Sequence, residues 1–154
     1  PSAMRGLILV VALLAGCTGA RSTVPAAQKA AEARLADLLA AAAASDVSLQ
    51  TLAPFMVARG DSPARRWKAP ADLSDASERA FVEEAQTTLE GLLSDVRRSD
   101  GSFEYETEEF VVESESEGQW HVLEIEFETD DRDITALFAF LPLGGTYYLG
   151  EIER

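Results

Sequence analysis

Two residues in this chain are the only ones of their kind: His121 is its sole histidine and Cys17 its sole cysteine. His121 opens a run in which Leu123, Ile125 and Phe127 recur at every second position. An imidazole placed there could act as a general base, with Tyr105, Tyr147 or a neighbouring carboxylate as its partner. The same pattern describes a partly buried histidine at the start of a strand, and that is the plainer reading of it. A second group of interest is Glu104, Glu106, Glu108, Glu124, Glu126 and Glu128. Such carboxylates could gather around calcium, a hard cation that takes oxygen ligands. Their alternation is that of a solvated strand face, however, and no Asp-x-Asp-x-Asp-Gly loop accompanies them. The chain has no serine–histidine–acid pattern, no Gly-rich phosphate loop and no metalloprotease motif. No catalytic residue, cofactor or metal is therefore assigned, and His121 stays as the single catalytic candidate.

A lone cysteine rules out an intrachain disulfide and a Cys-rich zinc site. Its surroundings give it another role. Met4 reads as a natural start, with Pro1-Ser2-Ala3 set aside; Arg5 supplies a positive charge, Gly6 to Leu13 is apolar, and small residues follow. This is the pattern of a secretory leader, too short to span a bilayer core, which takes roughly 20 apolar residues. Its end, Leu14-Ala15-Gly16-Cys17, resembles the bacterial lipobox. The resemblance implies that the Cys17 sulfur becomes a lipid-bearing thioether and that Cys17 begins the mature chain. Each buried methylene of an acyl chain contributes about 0.8 kcal/mol, so more than one chain gives stable anchoring. Thr18 stands where the family's inner-membrane retention signal has an aspartate, which implies sorting to an outer membrane, facing the periplasm or the cell surface. The expected organisation is a leader over 1–16, a lipidated tether over 17–24 and one domain over 25–154.

The formal charge is −14, and nearly all of it falls after residue 102, where fifteen carboxylates face only Arg132 and Arg154. A surface of that sign repels nucleic-acid phosphates and anionic lipid heads, which argues against both as direct partners. The remaining basic side chains include a cluster, Arg65, Arg66 and Lys68, inside a stretch from Arg59 to Pro70 that reads as a connector. That cluster is expected to lie against the acidic sheet or in solvent, with Trp67 as a staple for the loop. The Arg59-Gly60-Asp61 triplet matches an adhesion motif, but a match of three residues is common by chance.

The elements that would position these groups follow from periodicity. Pro25 suits a first helical turn, and Ala26 to Ala44 is alanine-rich, with Leu35, Leu38, Leu39 and Ala42 on one face. Ser45-Asp46 is expected to cap a second, short or kinked helix containing Pro54, with Leu49, Leu52, Phe55 and Met56 buried. Asp75 to Glu78 resembles a capping box that opens a third helix, whose stripe is Phe81, Val82, Ala85, Leu89, Leu92, Leu93 and Val96. From Phe103 onward the pattern is that of a four-stranded antiparallel meander. Phe103, Tyr105 and Thr107 are out of phase with Phe110 and Val112, and one extra residue near Glu108-Glu109, a β-bulge, would bring both sets to the same face. The third strand is apolar on both sides, Ile134, Ala136, Phe138 and Phe140 against Leu137, Ala139 and Leu141, the mark of a central strand covered twice. Gly144-Gly145 is expected to form the last hairpin turn.

Helices followed by a curved sheet that closes with Phe138-Ala139-Phe140-Leu141 and Tyr148-Leu149-Gly150-Glu151-Ile152 resemble the NTF2-like (cystatin-like α+β) superfamily over residues 25–154. The resemblance implies three N-terminal helices on one face of the sheet and a cavity with His121 near its mouth. With helices on one face only, Trp120, Val122, Leu137 and Leu141 would form an exposed apolar strip on the other, a candidate homodimer interface. The expected function is a membrane-tethered, non-enzymatic module that binds another protein or a small apolar ligand. The competing expectation is a hydrolase- or isomerase-type enzyme that uses His121.

Overall fold

A computed structural model describes residues 25–62, 65–116 and 118–154, without the side chains of 61, 62 and 65. The expected leader, Cys17, the tether and the Arg65 side chain lie outside the described residues. Helix α1 spans Ala26–Ala43, α2 spans Leu49–Leu52 and continues as a 3-10 turn over Ala53–Phe55, and α3 spans Ala76–Val96. Between α2 and α3 lie two strands, β1 (Ala58–Ser62) and β2 (Arg65–Lys68). The main sheet follows with β3 (Tyr105–Glu115), β4 (Gly118–Glu128), β5 (Asp133–Leu143) and β6 (Thr146–Glu153), paired in chain order as an open antiparallel meander. The chain is thus α+β, as its pattern predicts.

Local chemistry accounts for the helix limits. Ser48, not Ser45-Asp46, caps α2: its hydroxyl accepts from the Thr51 amide at 3.3 Å, while the Ser48 amide donates to the Thr51 hydroxyl at 2.9 Å. This reciprocal pair satisfies two backbone amides at once, which Asp46 is too far upstream to do. Pro54 falls in the first turn of the 3-10 segment, where no amide donor is needed. Asp75 caps α3 by accepting from the amides of Ser77 and Glu78. Glu78 does not complete the reciprocal box. Its carboxylate turns to the Asp72 amide at 2.9 Å and to Lys68 Nζ at 2.8 Å.

The bulge falls where the phase break predicts it. Thr107 pairs with Ile125 and Glu109 with Glu124, leaving Glu108 as the extra residue. Tyr105, Thr107, Phe110 and Val112 thereby stand opposite Phe127, Ile125, Leu123 and His121 on one face. Against that inner face pack Leu35 and Leu38 of α1, Leu52 and Met56, and Val82, Leu89 and Leu92 of α3. Phe127, Phe138 and Phe140 are fully buried there. Each such ring is stabilised by roughly 1.5–3 kcal/mol relative to exposure.

The outer face departs from expectation. The stretch from Arg59 to Pro70 is not a bare connector; it contains the β1–β2 hairpin, which packs on the outer face of the main sheet. The chain reaches that face by crossing the β6 edge. Met56 belongs to the inner core and Val57 to the outer cluster, and the Val57 amide donates to the Leu149 carbonyl of β6 at 3.0 Å. It returns at Ala71, which lies in the inner core and donates its amide to the Met56 carbonyl. Trp67 of β2 meets Trp120 of β4 edge to face, ring centroids 5.3 Å apart. Trp120, Val122 and Leu141 are consequently buried and Leu137 half-buried. The strip expected to be exposed is covered by the chain itself. A second bulge makes this possible: Ala139 pairs with Glu151 and Phe140 with Leu149, which leaves Gly150 as the extra residue. A Cβ on Gly150 would lie 2.3 Å from Trp120 Cζ3, so only glycine admits the indole.

Candidate functional site

Alternation along β4 places His121 on the inner face, two residues before Leu123, where it pairs with Val112 of β3 and Phe140 of β5. Only 7% of its surface is exposed. Its ring lies between Phe110, centroids 5.8 Å apart, and Tyr147 of β6, 5.1 Å apart. Neither ring nitrogen has a hydrogen-bond partner among the described residues. Burial lowers the pKa of His121 from its ordinary value, and no charged neighbour contributes to the shift. A neutral imidazole in this setting keeps an unmet donor and an unmet acceptor. A general base needs a group to fix its tautomer and an approach for the proton it takes; Tyr105 and Tyr147 supply neither through a recorded bond to His121. Tyr105 lies instead on Phe127, at 5.4 Å between centroids.

The glutamates divide into smaller sets. Glu106, Glu108 and Glu126 bring carboxylate oxygens within 4.8 Å of one another, which the bulge at Glu108 makes possible. Burial, then repulsion from Glu108, Asp133 and Glu106, raises the pKa of Glu126. Glu124 is raised by burial and by Glu109, its partner across the strands. Glu104 leaves the group and pairs with Arg98 at 3.4 Å, while Glu128 offers Arg98 its backbone carbonyl. Three neighbouring carboxylates can accept a cation, and solvated acidic strands also form such triplets without one. Arg66 donates to the Ser116 carbonyl at 2.6 Å, and Lys68 is held by Glu78 of α3.

Three polar arrangements have weak sequence signals. Glu32 of α1 accepts a hydrogen bond from Thr107 of β3 at 2.5 Å, a helix-to-sheet contact that spacing alone does not mark. Arg34 donates to the carbonyls of Tyr147 and Pro54, both at 2.8 Å, and lies over the Phe55 ring at 4.2 Å. It therefore ties α1 to the 3-10 turn and to the β6 edge. Glu113 is buried on the outer face opposite Trp120, and burial, then Glu115, raises its pKa. An acidic residue within a strand predicts exposure, and here it is buried.

Among the described residues no helix is long and apolar enough to cross a membrane. Comparison of the chain with protein-family models, with curated proteins and with solved structures finds no match.

Proposed function

We propose that this chain is a lipid-tethered module of the bacterial cell envelope, anchored through Cys17, whose NTF2-like domain acts by binding rather than by catalysis. The observation that carries the non-catalytic reading is the setting of His121: buried, flanked by aromatic rings and without a polar partner for either nitrogen. Three helices on one face of a bulged antiparallel meander support the NTF2-like assignment. Between a small apolar ligand and a protein partner, the packing favours the protein. The inner face, where a ligand would sit, is filled by side chains from the helices. The exposed part of the sheet is its carboxylate end, so a partner would meet it with lysines and arginines. A homodimer through Trp120, Val122, Leu137 and Leu141 would first require the hairpin to leave, and sedimentation at micromolar concentration is expected to show a monomer.

The test is chemical. Protein taken from its native membrane should carry acyl chains on the peptide that begins with Cys17, and Cys17→Ala should release the chain to the soluble fraction. An unmodified Cys17 sulfur in membrane-derived protein would end the tether proposal. The His121→Leu variant addresses the other half: it should keep the fold and any partner binding.

A further inference from the structure

We infer that His121 is an acid-sensitive wedge in the inner core: a proton on its imidazole opposes the packing of Phe110 and Tyr147 against it, so the contribution of His121 to the stability of the folded chain falls as its surroundings turn mildly acidic. The inference is independent of the tether and of the binding role. Geometry carries it. The ring is buried on the sheet's packed face, and the groups recorded against it are apolar or aromatic: Phe110 and Val112 from β3, Phe140 from β5 and Tyr147 from β6. The charged groups recorded on that side are Glu32 of α1, which is taken up by Thr107 farther along β3, and, beside Tyr147, Arg34 of α1, whose Nε donates to the Tyr147 carbonyl. The Arg34 charge has the sign that repels an imidazolium. Among the described residues no carboxylate bonds to the ring to receive a second N–H. A charge created there is desolvated and unpaired, the costliest arrangement for a buried ionisable group.

The direction of the effect follows from linkage. Burial holds the folded imidazole below its ordinary basicity. In the unfolded chain the ring takes up a proton around pH 6.5. The contribution of His121 is therefore complete above that value and falls as pH drops through it, because only the unfolded state gains the proton. It stops falling when the pH reaches the lowered folded value. Glu124 and Glu126 respond with the opposite sign. Their folded pKa values are raised, so acidification relieves them.

The experiment is urea denaturation of the full chain and of His121→Leu, followed by tryptophan fluorescence at pH 7.5 and pH 5.5. Both proteins carry the same carboxylates, so the difference between them isolates the imidazole. The folding constant of the wild type should fall by up to about tenfold relative to the variant across that interval. Equal pH responses would overturn the inference. If His121→Leu does not fold, proton NMR of the wild type decides, because the chain has one histidine. An imidazole resonance that stays at its neutral position down to pH 5.5 in folded protein supports the wedge. A resonance that titrates near 6.5 overturns it.

Discussion

The two faces of the main sheet are both covered, but by different means. The inner face lies under α1 and α3, whose apolar stripes repeat through several turns and meet aromatic side chains on β4 and β5. The outer face lies under a short hairpin, and among the described residues Val57 and Trp67 are the apolar side chains that come across to pack on Trp120, Val122, Ala139 and Leu141. The helical cover is marked twice in the sequence, in the helix stripes and in the strand alternation. The hairpin cover is marked only once, by β5 being apolar on both sides. A short cover built around one indole works because the sheet gives way to it. Ala139 is small, and Gly150 is a bulge with no Cβ.

Substitutions can test whether the two faces are comparably tight. The largest effect should come from the inner face: Phe138→Ala removes a fully buried ring and should cost roughly 3–5 kcal/mol in urea denaturation. Gly150→Ala probes the outer face, where the new Cβ would lie 2.3 Å from Trp120 and 3.3 Å from Val57 Cγ1. Overpacking of this kind typically costs about 1–3 kcal/mol. A negligible loss would mean that Trp120 is free to swing away and that the outer cover is loose. At pH 7.5 His121→Leu should lie within about 1 kcal/mol of the parent, on the stable side, since it removes a buried polar group with no partner. The smallest change is expected from Glu126→Gln. The raised pKa of Glu126 means that it favours folding when protonated and that this contribution is lost as pH rises through its folded value. The neutral amide should therefore stabilise the chain at pH 7.5, by an amount that shrinks as salt screens the neighbouring carboxylates. Denaturation at low and high salt checks it.

The inner half of the fold was legible in the sequence. The phase break at Glu108, the stripe through α3 and the Gly144-Gly145 turn, with φ of 59° and 83°, all stand where side-chain pattern requires. The hairpin was not legible, because Ala58 to Lys68 carries too few alternating apolar residues to read as strands. Its burial comes from a non-local partner, Trp120, more than fifty residues away. Glu113 was no more legible, since its place opposite Trp120 on a strand rich in exposed carboxylates does not announce that it is buried. For the candidate site, the inward orientation of His121 follows from alternation, but its lack of any polar partner does not. That depends on Phe110 and Tyr147, which reach it from two other strands. The gathering of Glu106, Glu108 and Glu126 follows from the bulge, a feature the phase break announces.

The two edges of the sheet extend the contrast. The edge of β6 is occupied, since its carbonyls at Tyr147 and Leu149 accept from Arg34 and Val57. The edge of β3 instead carries Glu104, Glu106, Glu108 and Glu109 beside a bulge, a combination that discourages pairing with another strand. Crossing one edge with the chain and charging the other leaves little open ladder on either side.

Trp120 gives the most direct test of the two-sided burial. In a Trp67→Phe variant it is the sole tryptophan, and its emission and acrylamide quenching can be followed as the protein is diluted. The emission should be blue-shifted and shielded and should not change with concentration, because the chain's own hairpin supplies the cover. Emission typical of water at low concentration, becoming shielded only as the protein is concentrated, would mean that a second molecule covers this face and would contradict two-sided burial within one chain.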